Sequence, residues 1–127
     1  MEKQPERFLH IVGLRMHGEI PAASLPFGQQ RLLTLARALA TRPGVLLLDE
    51  PASGLNAYET RELGDIIYRV RDMGITVILV EHDMGLVMRV SEEVLVLDYG
   101  EIIAEGTPEE VRSNPRVIEA YLGADVD

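Results

Sequence analysis

Apolar positions recur along the chain with two different periods, and these periods predict an alternation of helices and strands. A short helix is predicted over 6–12, ending near Gly13. Over 29–41 apolar residues return every three or four positions, which predicts a longer helix that ends at Arg-Pro-Gly (42–44). The segment between them, HGEIPAASLPFG (17–28), is rich in proline and glycine and predicts a loop.

Three short apolar runs predict strands: VLLL (45–48), ITVILVEH (75–82) and VLVLD (94–98). Continuous apolar runs of this length are typical of strands that are covered on both faces of a parallel sheet. Residues 101–104 are predicted to return beside the third run as a hairpin. Strands that alternate with helices predict the α/β class, with a mostly parallel sheet and flanking helices.

The remaining helices carry cap signals. They are predicted after Asn56, over 84–90, after Thr107 and over 116–122. Asn56 and Glu59 have the spacing of a capping box, as have Thr107 and Glu110, so two of these helices have defined first residues.

Composition narrows the classes of function. The 127 residues include no cysteine, which excludes disulfides, zinc–thiolate sites and a thiol nucleophile. The formal net charge of −9 disfavours a broad basic surface for nucleic acid. No apolar run approaches the roughly 18–20 residues of a membrane span and no signal peptide is visible. The chain is therefore expected to be soluble and to meet a membrane only through a partner.

Two adjacent carboxylates, Asp49 and Glu50, directly follow the first apolar run. Ligands of an open parallel sheet bind beyond the carboxyl ends of its strands. One carboxylate there can hold Mg²⁺ bound to nucleotide phosphates, and the other can orient or deprotonate an attacking water. The plain alternative is a pair of acidic residues that cap a turn or face solvent.

Two other positions are compatible with a phosphate site. His82 ends the second predicted strand, where an imidazole can donate to a phosphate oxygen, although a single histidine there is usually an ordinary surface residue. Gly28 and Gln29 start a predicted helix, where backbone N–H groups favour an anion. Glycine is common at such junctions, so this feature alone is weak.

The order of four motifs resembles the C-terminal half of an ABC-type ATPase domain. They are LPFGQ (25–29), VLLLDE (45–50), SGLN (53–56) and VEHD (80–83), which correspond to the signature motif, the Walker B strand, the D-loop and the switch histidine. Longer phrases, LPFGQQRLLTLARALATRP and NPRVIEAYLG among them, are similar to the ATP-binding subunits of branched-chain amino acid importers. The resemblance divides the chain into the end of a helical subdomain (1–42), core strands (43–106) and C-terminal helices (107–127).

The resemblance also implies roles, with ATP and Mg²⁺ as cofactors. Asp49 would hold Mg²⁺ through its water shell, Glu50 would be the general base, and His82 would contact the γ-phosphate. The residues implied at a nucleotide-bearing dimer interface are Leu25, Pro26, Phe27, Gly28, Gln29, Ser53, Gly54, Leu55 and Asn56. The implied partners are a second ABC ATPase subunit and membrane-spanning permease subunits, with the chain on the cytoplasmic face of the cell membrane and no nucleic acid bound.

The chain departs from the family pattern inside the motifs. Pro26 and Phe27 stand where the signature motif usually has serine and glycine, which removes a hydroxyl and a backbone N–H that would meet phosphate. We interpret this as a site that still functions, with altered contacts to phosphate, and not as an inactive site. Asn56 replaces the more usual aspartate of the D-loop, and either residue can cap a helix.

The phosphate-binding loop of the family is missing from these residues. No G-x-x-x-x-G-K-[ST] occurs, and the single lysine is Lys3. The isolated chain is therefore predicted to have negligible ATPase activity. The strand that leads into that loop is missing as well, so an open apolar sheet edge is predicted to drive self-association.

Two alternatives stay open at this point. The chain is compatible with a non-catalytic fragment that only associates with an intact ABC ATPase subunit. It is also compatible with an ABC ATPase that serves another substrate, such as lipopolysaccharide export. A repair-type ABC ATPase is disfavoured by the net charge and by the absence of a long coiled-coil insertion.

Overall fold

The computed structural model describes residues 4–13 and 26–122, in two units that span 1–81 and 82–127. The first unit contains α1 (Gln4–Ile11), α2 (Phe27–Ala40), β1 (Val45–Asp49), α3 (Ala57–Asp72) and β2 (Thr76–Val80). The second contains α4 (Met84–Val90), β3 (Val94–Asp98), β4 (Glu101–Gly106), α5 (Pro108–Arg112) and α6 (Pro115–Val117), and α6 continues as a π-helical turn over Ile118–Leu122. This order confirms the predicted α/β class. The predicted loop at 17–28 lies outside the described residues up to position 25.

Strands β1 and β2 form a parallel pair that begins at Val45 opposite Thr76 and ends at Asp49 opposite Val80. The ladder extends by one bond beyond β1, because the backbone N–H of Glu50 donates to the carbonyl of Val80 at 2.7 Å. The carboxyl ends of the two strands therefore lie side by side, as the sequence predicts.

The core of the first unit lies on the predicted apolar faces of its helices. Leu35, Ala36 and Leu39 of α2 and Leu63, Ile66, Ile67 and Val70 of α3 are buried. The C-terminal end of α1 is hydrogen-bonded to α3, because the guanidinium of Arg69 donates to the carbonyl of Ile11 at 3.1 Å. Helix α3 packs against β2.

The prediction that both faces of β1 and β2 are covered is wrong. Only Leu46 is buried, and four apolar side chains are 48–69% exposed: Val45, Leu47, Ile78 and Val80. Side chains alternate between the faces of a strand, and Leu47 pairs directly with Ile78, so these four share the face opposite α3. Apolar sequence alone predicts a strand that is suited to burial, but the covering layer has to be present as well. We call Val45, Leu47, Ile78 and Val80 the open sheet face.

Both predicted capping boxes are confirmed. The side chain of Asn56 accepts from the N–H of Glu59 at 2.8 Å, and the Glu59 carboxylate accepts from the N–H of Asn56 at 3.1 Å. Thr107 and Glu110 make the same reciprocal pair at 3.2 and 3.3 Å. Each box satisfies N–H groups that a helix start leaves without an intrahelical partner, and so fixes the first residue of the helix.

In the second unit β3 and β4 form the predicted antiparallel hairpin. Tyr99 and Gly100 form its turn with φ angles of +50° and +80°, which suit a tight two-residue connection. The described strands thus form one parallel and one antiparallel pair, and the parallel part of the predicted sheet is β1 with β2. In the described parts of the chain, no helix has both the length and the hydropathy needed to cross a bilayer.

Candidate functional site

The two adjacent carboxylates lie at the carboxyl end of the parallel pair. Asp49 is the last residue of β1, Glu50 follows it, and both are exposed. Glu50 has a φ of +48°, a left-handed conformation that few residues other than glycine adopt, and its carbonyl accepts from the N–H of Ser53 at 3.1 Å. Backbone strain of this kind is concentrated at functional sites. The chain therefore turns sharply at the second carboxylate.

Glu81 holds this turn against the end of β2. Its carboxylate accepts from the N–H of Ala52 at 2.9 Å, a contact between residues 29 positions apart. A carboxylate that accepts from a backbone N–H makes a charge-assisted bond, which is stronger than a bond between neutral groups. This role of Glu81 could not be predicted from the sequence, because the spacing of the two residues gives no local signal.

His82 follows Glu81 as the first residue of the second unit, and it is exposed. Its neighbour Asp83 caps α4 by accepting from the N–H of Leu86 at 3.1 Å. The VEHD motif therefore contributes Glu81 to the first unit and a helix cap to the second. The part of His82 in nucleotide chemistry stays a prediction.

The signature motif enters the described structure at Pro26, and Leu25 lies outside the described residues. Pro26 is the N-cap of α2, and its side chain makes no capping hydrogen bond. Phe27 is 54% exposed, Gly28 is buried and Gln29 is half-buried. A helix start without a side-chain cap leaves backbone N–H groups for an anion supplied from outside the helix.

Three contacts bring the start of α2 against the D-loop and the first turn of α3. The guanidinium of Arg31 donates to the carbonyl of Ser53 at 3.1 Å and lies 5.2 Å from the ring centre of Phe27. The Phe27 ring packs on Gly54 so closely that a Cβ at this glycine would come within 2.8 Å of it.

The third contact joins Gly28 to Glu59. A Cβ at Gly28 would clash with a carboxylate oxygen of Glu59, the residue that closes the capping box of α3, unless this side chain moved. The missing Cβ of Gly28 therefore lets the carboxylate approach the backbone of α2. The signature motif and the D-loop are recognisable in the sequence, but their contact and the parts of Arg31 and Glu59 in it emerge only from the structure.

The donor atoms at the strand ends fit Mg²⁺ bound to a nucleotide. This ion takes one or two carboxylates and fills its other positions with water and phosphate oxygens, and Asp49 and Glu50 are exposed on that side. Across the described ranges, no three histidine or acidic side chains converge as a metal cage.

Tyr58 lies beside the D-loop and has a raised pKa, so its phenol is neutral near pH 7. The main cause is a hydrogen bond to Glu62, and the negative charge of the same carboxylate adds to it.

Two family models match the chain. Residues 2–88 match the model described as "AAA domain, putative AbiEii toxin, Type IV TA system", and residues 101–127 match "Branched-chain amino acid ATP-binding cassette transporter". The first match includes the carboxylate pair, the D-loop and His82.

Relatives and a solved structure agree with these matches. The chain is 48% identical over 117 residues to two high-affinity branched-chain amino acid transport ATP-binding proteins, LivG of Salmonella typhimurium and BraF of Pseudomonas aeruginosa. Each match covers 91% of the chain and 46% of the relative, so the chain spans about half the length of these relatives. The ADP conformation of an ATP-binding cassette of an ABC transporter superposes with a TM-score of 0.85 at 28% identity, covering 97% of the chain and 52% of the cassette. The chain therefore belongs to the family of ABC transporter ATP-binding subunits and corresponds to the C-terminal half of its branched-chain amino acid type.

Proposed function

We propose that the chain supplies the C-terminal half of an ATP-hydrolysing subunit of an importer for branched-chain amino acids. The observation that carries the proposal is the pair Asp49 and Glu50 at the carboxyl end of β1 and β2, on a turn held by Glu81. The branched-chain substrate class rests on the named relatives and on the match of residues 101–127. Neither the non-catalytic alternative nor lipopolysaccharide export is favoured by these matches.

The chemistry assigned to this site divides between its two carboxylates. Asp49 would hold Mg²⁺, and the ion would neutralise charge on the phosphates. Glu50 accepts a proton from the water that attacks the γ-phosphate. Glutamate suits this role in the exposed turn after β1, where water reaches the carboxylate directly. His82 donates a hydrogen bond to a γ-phosphate oxygen.

The signature motif and the D-loop serve a nucleotide held by a second ABC ATPase subunit. The N–H groups of Gly28 and Gln29 at the start of α2 favour phosphate oxygens, and the N-cap residue Pro26 makes no side-chain cap that would compete for them. Residues 53–56 lie beside the same helix start and would therefore face the same dimer interface. Pro26 has no N–H to donate, so the helix start binds phosphate with fewer donors than the usual motif provides.

The other proposed partners are permease subunits, which would place the chain on the cytoplasmic face of the cell membrane. No nucleic acid takes part, because a net charge of −9 opposes binding to a polyanion. The open sheet face and the adjoining free strand edges are proposed to bind another polypeptide. In isolation, this other polypeptide would be a second copy of the chain.

The test of the proposed function is ATP hydrolysis by a mixture of two polypeptides. The chain is combined with a separately expressed polypeptide that comprises the half of Salmonella LivG that the chain does not match, and phosphate release from MgATP is followed. Neither polypeptide alone is expected to hydrolyse ATP above the background rate, and the mixture is. A mixture that is as inactive as its parts, although the two polypeptides co-elute in gel filtration, would contradict the proposal.

A further inference from the structure

We propose that Arg31 and Phe27 are positioning residues that lock the D-loop, residues 53–56, onto the start of α2. The inference rests on the proposed function, since its catalytic consequence requires that both segments face one nucleotide. It goes beyond that function by naming two side chains that set where the D-loop lies. Neither side chain touches a reacting atom in this account.

Arg31 makes two contacts at once, and a planar guanidinium suits both. It donates to the carbonyl of Ser53 at 3.1 Å while it lies 5.2 Å from the ring centre of Phe27. Guanidinium groups stack on aromatic rings and keep further N–H donors in a fixed plane, whereas an ammonium group is a compact point charge on a flexible stem. Lysine at position 31 is therefore a poor substitute.

Phe27 contacts the D-loop at the glycine that bends it. Gly54 has a φ of +80°, a conformation that glycine adopts without strain, and the missing Cβ leaves the space that the ring edge occupies. Phe27 stands where the family usually has glycine in the signature motif. The ring thus adds a direct contact to the neighbouring segment, which glycine at this position could not make.

Hydrophobic burial does not explain the place of this ring. Phe27 stays 54% exposed, and its ring packs on Gly54 and lies 5.2 Å from the guanidinium carbon of Arg31. An aromatic ring stabilises a fold by removing its apolar surface from water, and a ring that stays half exposed contributes little in this way. Stability alone therefore does not explain why phenylalanine stands at this position. The contacts tie two segments of the proposed interface to each other, and a shift of the D-loop would move the N–H groups of Gly28 and Gln29 with it.

Hydrogen–deuterium exchange at single residues tests whether Arg31 and Phe27 hold the D-loop in place in the isolated chain. The N–H groups of Ser53 and Leu55 donate to the carbonyls of Glu50 and Ala52, both at 3.1 Å, so their exchange reports opening of this segment. Phe27→Ala and Arg31→Ala are expected to speed exchange of both amides about five- to tenfold, as the loss of one modest contact predicts. Arg31→Lys should behave like Arg31→Ala, whereas Phe27→Tyr, which keeps the ring, should restore slow exchange.

Arg37→Ala is the matched control, because Arg37 is an exposed arginine in the last turn of the same helix. It should leave exchange at Ser53 and Leu55 unchanged. The loss of one modest contact lowers the melting temperature by about 4–5 °C for a chain of this length, so every variant should stay within about 5 °C of the original and remain folded during the exchange experiment. Exchange that stays within about twofold of the original in Phe27→Ala and Arg31→Ala would overturn the lock.

Hydrolysis by the two-polypeptide mixture tests the catalytic consequence. Arg31→Ala is expected to lower kcat about tenfold, as small misplacements of positioned groups do, with KM for ATP nearly unchanged. Faster exchange with an unaltered kcat would overturn the positioning role. If the mixture with the original chain does not hydrolyse ATP, that result contradicts the proposed function. The exchange experiment still tests the contacts of Arg31 and Phe27 with the D-loop independently.

Discussion

Replacement of Glu50 by glutamine is expected to lower ATP hydrolysis by the two-polypeptide mixture at least about a hundredfold, the usual loss when a general base is removed. Glutamine has nearly the same shape as glutamate and keeps the side-chain oxygen, so the turn at φ +48° should persist. What is lost is the ability to take a proton from the attacking water. The measurement is the steady-state rate of phosphate release at saturating MgATP.

Glu105→Gln is the control for the loss of one negative charge. Glu105 is an exposed residue of β4 in the second unit and has no part in the proposed chemistry. This variant should retain the original rate. If Glu50→Gln and Glu105→Gln hydrolyse ATP equally fast, Glu50 is not the general base.

Glutamate substitutions at Leu47 and Ile78 are expected to weaken self-association of the isolated chain at least about a hundredfold. The two residues are directly opposite each other in the open sheet face and are 69% and 48% exposed. Burial of a leucine or isoleucine side chain contributes about 1.5–3 kcal/mol, so the loss of two corresponds to this change in the dissociation constant. Two like charges placed opposite each other add repulsion. Sedimentation velocity over a range of micromolar concentrations measures the effect.

The matched control places the same charges on the hairpin of the second unit. Leu97 and Ile102 are also directly opposite each other and are 49% and 59% exposed. Glutamates at these positions should leave the dissociation constant unchanged if the open sheet face is the interface. An original chain that sediments as a single monomeric species at every concentration would contradict the self-association proposal.

Local features of the fold could be predicted from the sequence because their causes are local. The capping box of Asn56 and Glu59 depends on a spacing of three residues, and the structure confirms it. Helices α2 and α3 bury the predicted apolar faces, and the hairpin turns at Tyr99 and Gly100. In each case, neighbouring residues supply the hydrogen bonds or the periodic pattern that fixes the element.

Features that depend on distant residues could not be predicted in this way. The exposure of Leu47 is the clearest case, since an apolar run does not reveal whether a covering layer is present. The bond from Ala52 to Glu81 and that from Arg31 to Ser53 join residues 29 and 22 positions apart. Motif order indicated where the chemistry lies, but the side chains that support the motifs emerged only from the folded chain.

The most direct test asks whether the carboxylate pair lies at a metal–nucleotide site. Mn²⁺ accepts the same oxygen ligands as Mg²⁺ and, because it is paramagnetic, broadens NMR signals of nearby nuclei. When MnATP is added to the two-polypeptide mixture with the chain isotopically labelled, the amides of Asp49 and Glu50 are expected to broaden most. The amide of Thr76, at the amino end of the same strand pair, should broaden less, because paramagnetic broadening falls steeply with distance from the ion. Equal broadening of the three amides, or no broadening at Asp49 and Glu50, would contradict this position of the metal–nucleotide site.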